Sequence, residues 1–333
     1  MKLRVGILGG GSWGTTVASL VSRNAPVKIW ARNSETVRDI NENRRNSKYL
    51  PDAILPEAVY ATNDIGEVVT DADVLVMAIP SNNFRAVLED AKPFSRPWIP
   101  IISLTKGLEL SSGKRMTQII EDVFPGHPVG VLTGPNLARE IMAGQAAASV
   151  ISMEDEIIVK QLQKLFHSGL FRVYTNTDLL SCELGGVLKN IIAIAVGMGD
   201  GLGAGDNTRS ALITRGLAEI TRLGVAMGGR PETFAGLTGM GDMIATCTSP
   251  LSRNRHVGVE LGKGRNIDEI IEEMLMVAEG VKSAPTVMAL AKKYNVAMPI
   301  AQDVYDVTRG KRAAVSVYRG LIRGSAGSEA EAG

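Results

Sequence analysis

The segment Val5-Gly6-Ile7-Leu8-Gly9-Gly10-Gly11-Ser12-Trp13-Gly14 constrains this chain more than any other. An apolar, β-branched run leads without a break into G-x-G-x-x-G at Gly9, Gly11 and Gly14, and a helical stretch follows from Thr15. That setting of strand, turn and helix gives the glycine spacing its meaning. Gly9 permits the tight turn, Gly11 lets a pyrophosphate approach the backbone, and Gly14 allows helix and strand to pack closely. Unpaired amides at the helix N-terminus then face the anion. The segment predicts a dinucleotide-binding parallel sheet.

The rest of the first half fits that sheet. Strands are expected at Leu3–Leu8, Val27–Ala31, Val74–Ile79, Ile101–Leu104, Val129–Leu132, Ala148–Ser152 and Phe171–Tyr174. Between them, Thr15–Arg23, Ser34–Asn43, Phe84–Lys92, Lys114–Val123 and Asp155–Phe166 read as helices. Apolar strands alternating with amphipathic helices mean a parallel sheet covered on both faces. After about residue 178 the strand pattern stops. Helices are expected at Leu179–Met198, Thr208–Leu223, Pro231–Ala235, Asn254–Gly262, Ile267–Ala278, Ala284–Tyr294 and Pro299–Thr308. The fold class is α/β, a Rossmann-type doubly wound, mostly parallel sheet followed by an all-helical second domain. The expected division is 1–177 for dinucleotide binding and 178–323 for substrate and catalysis. The tail 324–333, GSAGSEAEAG, is expected to be disordered.

Composition removes several other classes. A formal charge of +1 gives no global attraction to nucleic acid. The two cysteines, Cys182 and Cys247, make no disulfide framework, and His127, His167 and His256 show no metal-ligand spacing. The apolar stretch Ile191–Gly199 is shorter than the roughly 20 residues of a membrane span. MKLRVGILGG lacks the basic and apolar regions of a secretory leader. A reduced, cytoplasmic protein without membrane insertion or metal is expected.

Ligands of an open α/β sheet bind beyond the carboxyl ends of its strands. Those ends carry Gly9–Gly14, Arg32, Ile79-Pro80-Ser81, Thr105-Lys106-Gly107 and Thr133-Gly134-Pro135-Asn136. An NAD-only site usually places a carboxylate after the second strand, whereas here the chain reads Trp30-Ala31-Arg32-Asn33. A guanidinium suits a 2′-phosphate, so NADPH is favoured with NADH also possible. In the second half, Lys189-Asn190 interrupts an otherwise apolar helix, where a lysine must snorkel, pair or work. Glycine-rich polar runs at Gly199–Thr208 and Gly239–Asp242, with Ser252-Arg253-Asn254, look like the walls of a site.

These residues carry a family resemblance. The chain resembles bacterial NAD(P)-dependent glycerol-3-phosphate dehydrogenases from Gly9 to about Arg309. The matching runs are GGGSWG at Gly9–Gly14, LTKGLE at Leu104–Glu109, LTGPNLARE at Leu132–Glu140 and ELGGVLKNIIAIAVGMGDGLGAGDNTRSALITRGLAE at Glu183–Glu219. GLTGMGDMIATCTS at Gly236–Ser249, SRNRHVG at Ser252–Gly258 and VAEGVKS at Val277–Ser283 continue it. The resemblance implies Lys189 as catalytic proton donor and acceptor. It implies substrate contacts from Lys106, Gly134, Asn136, Lys189, Asp242, Ser252, Arg253 and Asn254. Cofactor contacts would come from Ser12, Trp13, Arg32, Tyr49, Lys106, Ala138, Arg253, Val277 and Glu279, beside the motif glycines. Asn136 stands where many members carry Ser or Thr. The implied reaction joins dihydroxyacetone phosphate and sn-glycerol 3-phosphate, for glycerophospholipid synthesis, in a homodimer. Two alternatives remain open: a β-hydroxyacid dehydrogenase of similar architecture, and a non-catalytic nucleotide-sensing module.

Overall fold

The computed structural model describes residues 3–274 and 278–317. The expected tail 324–333 and the implied contact Val277 lie outside the described residues. The chain divides into two compact units, one of residues 1–109 and 114–179, the other of 110–113 and 180–333.

In the first unit, β1 (Val5–Leu8) runs into α1 (Ser12–Val21), then β2 (Val27–Trp30), α2 (Ser34–Asn43) and β3 (Val59–Thr62). α3 (Ile65–Thr70) leads to β4 (Val74–Met77), α4 (Phe84–Ala91), β5 (Ile101–Ser103), α5 (Met116–Val123) and β6 (Val129–Thr133). α6 (Ala138–Met142), β7 (Ala147–Met153), α7 (Glu156–Phe166) and β8 (Phe171–Asn176) complete it. Among the described residues the eight strands form one sheet in the order β3-β2-β1-β4-β5-β6-β7-β8. β1 to β6 are parallel; β7 opposes β6 and pairs parallel with β8. Successive residues of a strand enter opposite cores. Ile7, Val76 and Ile102 pack on the side of α1 and α7, while Leu8, Met77 and Ile101 pack on the side of α4 and α5. Helices therefore cover both faces, as the continuous apolar strands require.

The second unit consists of helices among its described residues: α8 (Leu179–Gly201), α9 (Asp206–Ala226), α10 (Pro231–Phe234) and α11 (Asp242–Thr248) come first. α12 (Arg253–Gly262), α13 (Ile267–Glu272), α14 (Glu279–Lys293) and α15 (Pro299–Thr308) follow. By length and composition α8 is apolar enough to cross a bilayer, but it is buried along its length inside the protein. α8 and α12 meet backbone to backbone. A Cβ at Gly197 would lie 2.1 Å from Arg255 O, one at Gly201 2.2 Å from Val259 O, and one at Gly258 2.1 Å from Ile194 O. Only bare glycine admits that approach.

Four elements escape the sequence reading. β3 is a four-residue edge strand held by β2 alone. α3, IGEVVT, is rich in β-branched residues and glycine, poor helix formers, and rests on Asp64 accepting the amides of Gly66 and Glu67. α6 has five residues, too few to show a period. α11 follows the glycine-rich π turn Leu237–Gly241, which reads as loop. α14 begins at Glu279, five residues before its expected start, because Gly280 and Pro285 read as breakers. α13 ends at Glu272, short of the expected Ala278.

Glu219 of α9 is fully buried and accepts the amides of Ile300 (2.7 Å) and Ala301 (3.2 Å) at the start of α15. Burial pushes its carboxyl up to about 7, against the lowering effect of those amides. Folding therefore takes up a proton between the ordinary glutamate pKa, about 4.3, and about 7. This contribution is full below the lower value and is lost as pH rises through the higher one. Glu219→Gln is expected to remove that part of the pH dependence. Urea unfolding at about pH 4.5 and pH 7.5 should then show a smaller loss of stability across the interval in the variant than in the unsubstituted protein.

Candidate active site

The strand order reverses between β1 and β4, and the glycine loop lies at that switch point. Gly9 has φ 125°, a conformation that penalises any side chain, and a Cβ there would lie 2.4 Å from Ala78 O. A Cβ at Gly14 would lie 2.0 Å from Gly9 O, whereas one at Gly11 would meet nothing within 4 Å. The loop is thus closed against its own strands and open at Gly11, the N-cap of α1. Trp13 stands its ring edge-on to Phe171 at 6.3 Å, and its buried indole N–H has no hydrogen-bond partner. A glycine cradle with open space at Gly11 and an orphaned donor two residues on fits a dinucleotide phosphate.

Arg32 follows β2 and is exposed. Asn33 is occupied in capping α2, accepting the amides of Glu35 (2.7 Å) and Thr36 (3.2 Å). Tyr49 is half-buried in a loop latched to the glycine turn by Asn46, which donates to Gly10 O at 2.9 Å and Thr15 Oγ1 at 2.8 Å. Lys106, beyond β5, donates to Gly134 O at 2.8 Å, so two of the implied substrate positions meet directly. Asn136 donates to Ser149 Oγ at 3.3 Å, and Ser149 donates in turn to Thr133 O at 2.8 Å. Ala138 opens α6 nearby in sequence.

In the second unit, α8 carries Lys189 and Asn190 into the interior, 4% and 5% exposed. Asp242 Oδ1 of α11, itself 2% exposed, lies 2.8 Å from Lys189 Nζ. The ammonium also donates to Thr246 Oγ1, whose own proton goes to Asp242 O at 2.6 Å. A lysine this deep has to be paired, and one helical turn of α11 supplies both partners four residues apart. Cys247 beside them has its thiol pushed up to about 12 by burial, so it stays neutral.

Ser252 caps α12, and Asn254 spans three helices, donating to Asn190 Oδ1 and accepting from Gly280 N, both at 3.0 Å. Arg253 is exposed at its helix start. Protein packed around part of its side chain costs the guanidinium hydration and lowers its pKa, and Glu279 at the head of α14 opposes that effect. Asn190 stands out in the sequence only beside Lys189, and two further supports, Asn46 and Thr246, escape the sequence reading. Their signal was a polar residue at a position that the fold buries, invisible until the fold is known.

A dinucleotide cradle in one unit and a buried lysine–aspartate pair in the other define an NAD(P)-dependent dehydrogenase of the doubly wound class. Comparison with known proteins narrows this further. Family models for the NAD-dependent glycerol-3-phosphate dehydrogenase N-terminus and C-terminus match residues 4–159 and 178–318. The chain belongs to that family. It is 77% identical over 333 residues, all of both chains, to a Sphingopyxis alaskensis glycerol-3-phosphate dehydrogenase [NAD(P)+]. A Mycobacterium avium relative of that description is 52% identical over 98% of this chain and 96% of its own. The Coxiella burnetii glycerol-3-phosphate dehydrogenase crystal structure is similar with TM-score 0.92 at 34% identity, covering 97% of this chain and 99% of that one.

The lysine's second partner yields a test. Thr246→Val keeps the shape and removes the hydroxyl, leaving Asp242 alone to hold the ammonium. Turnover is expected to fall by about tenfold, the loss from one hydrogen bond to a charged group of roughly 1.5 kcal/mol, with cofactor affinity unchanged. Steady-state kinetics with a fluorescence titration of the cofactor checks both.

Proposed function

We propose that this chain interconverts dihydroxyacetone phosphate and sn-glycerol 3-phosphate with NAD(P)(H), supplying the glycerol phosphate of glycerophospholipids. The observation that carries the reading is Lys189, buried on an apolar helix and fixed by Asp242 and Thr246. A reduced nicotinamide held at the glycine loop would supply the hydride for the C2 carbonyl. Lys189 as an ammonium donates the proton that the resulting alkoxide needs, and takes it back in the reverse direction. Asp242 keeps the ammonium in place and is no base itself. Arg253 meets the substrate phosphate through its fork, with Ser252 and Asn254 in the same turn. Lys106, Gly134 and Asn136 at the strand ends complete the substrate contacts. Ser12, Trp13, Arg32, Tyr49, Lys106, Ala138, Arg253, Val277 and Glu279 take the cofactor with the glycine loop. The protein works in the cytoplasm as a homodimer, a state that light scattering on the purified chain tests. Absorbance assays with dihydroxyacetone phosphate and each reduced cofactor test the activity; no oxidation of either cofactor would overturn it.

Lys189→Ala is expected to lower turnover by on the order of 10²–10⁴, the contribution of a placed general acid, while the cofactor still binds. Unchanged turnover would make Lys189 a structural lysine.

Arg32→Ala is expected to weaken NADPH far more than NADH, since only NADPH carries the 2′-phosphate. A lost charge-assisted bond of roughly 1.5–3 kcal/mol corresponds to about a 10- to 150-fold rise in the NADPH dissociation constant. Equal weakening of both cofactors would place Arg32 elsewhere on the nucleotide.

A further inference from the structure

The first turn of α12 holds three residues proposed to meet substrate, and two of them are tied inward. Ser252 Oγ accepts the amide of Arg255 at 3.3 Å, and Asn254 is engaged at both ends of its carboxamide. Arg253 is the exposed one of the three. Its backbone belongs to α12, so where that helix sits along α8, which carries Lys189, sets where its side chain starts. The contact between these helices runs through Gly197, Gly201, Gly258 and Gly262, where backbone meets backbone. Side chains that interlock ridge into groove usually set the register of two helices. Here bare glycines let the two backbones touch, and Asn254 bonds to Asn190 of α8 at 3.0 Å near the first turn of α12.

An ion pair beside the seam ties the first turn of α12 to the end of α8 as well. Arg255, next but one after Arg253, donates from Nε to Asp200 Oδ2 at 2.8 Å, and its Nη2 lies 2.7 Å from the same oxygen. Asp200 stands at the C-terminal end of α8 with its side chain 9% exposed. Its other oxygen, Oδ1, takes Arg209 of α9 through Nε (3.1 Å) and Nη2 (2.9 Å). With each oxygen holding a guanidinium, the carboxylate is engaged on both sides by protein. We propose that Asp200 is a positioning residue: through Arg255 it holds the first turn of α12 against the end of α8 and so aims Arg253 at the substrate phosphate. This rests on the functional reading above, in which Arg253 grips that phosphate.

The test compares dihydroxyacetone phosphate with unphosphorylated dihydroxyacetone in Asp200→Asn. A misplaced Arg253 harms only the substrate that has a phosphate to grip. kcat/KM for dihydroxyacetone phosphate is expected to fall on the order of 10- to 100-fold, mostly through KM. For dihydroxyacetone it should stay within about twofold. Arg255→Lys, which keeps the charge and loses the fork, should fall between Asp200→Asn and the unsubstituted protein. If Asp200→Asn does not fold, Arg255→Met leaves Arg209 on Asp200 and should show the same substrate-selective loss. Proportionate losses on both substrates, or unchanged kinetics on the phosphate, would overturn the proposal. A selective loss in Arg253→Ala without one in Asp200→Asn or Arg255→Met would sink the positioning role alone. Failure of the unsubstituted protein to reduce dihydroxyacetone phosphate would overturn the functional reading and the positioning role with it.

Discussion

A lysine charge buried on an apolar helix is the constraint from which the second unit follows. Removing one partner of a buried ion pair destabilises by about 3–5 kcal/mol, because the remaining charge has no water to return to. Lys189 therefore requires Asp242, and Asp242 is brought to it by α11, a seven-residue helix with little apolar periodicity of its own. The π turn Leu237–Gly241 that precedes α11 packs as closely. A Cβ at Gly185 of α8 would lie 2.6 Å from Thr238 O, and one at Gly239 2.0 Å from Phe234 O. The glycines of GLTGMGD serve to bring a carboxylate to an amine. The site dictates the backbone around it.

Both units solve their placement problem in the same way. Around the nucleotide loop, Gly9 and Gly14 let strand and helix meet without a side chain between them, and Gly11 leaves its outer side open. In the helical unit, Gly197, Gly201, Gly258 and Gly262 let α8 and α12 touch. Close approach of backbones shortens the reach of every side chain nearby. That suits chemistry in which small displacements matter, since misplacing a reacting group by about 1 Å lowers a rate by about 10². Polar side chains then supply what glycine cannot, as Asn46 does for the nucleotide loop and Asn254 for the three helices it joins.

The sheet was legible because its central strands are buried on both faces and its glycine motif sits between a strand and a helix. Lys189 was legible as a charge out of place. Arg32 stands beyond β2 where a carboxylate is usual, and its part in cofactor choice belongs to the proposed function. What stayed hidden shares one property: its meaning depends on contacts distant in sequence. β3 is defined by β2, and α3 by a cap that outweighs its β-branched interior. Thr246 is an ordinary helix threonine until Lys189, 57 residues away, donates to it. Asp200 sits in a glycine-rich run that reads as loop wall, and only the positions of Arg209 and Arg255 reveal an ion-pair hub.

The proposed chemistry divides the cations by what each can give up. Arginine does not deprotonate in proteins, so it suits positions where an anion is to be held and no proton is to move. The proposed function gives that task to Arg32 and Arg253, beyond β2 and at the head of α12. Partial loss of hydration lowers the pKa of Arg253, yet a guanidinium starts so high that it remains charged at neutral pH. Lysine releases its proton far more readily and presents a compact ammonium on a flexible stem. The position that passes a proton in the proposed mechanism carries lysine, and there α11 holds the ammonium through Asp242 and Thr246. Exchanging the two types would fail in both directions: arginine at 189 would not complete proton transfer, and lysine at 253 would lose the fork that matches a phosphate. The pattern of Lys and Arg in this chain is therefore an argument about mechanism as well as charge.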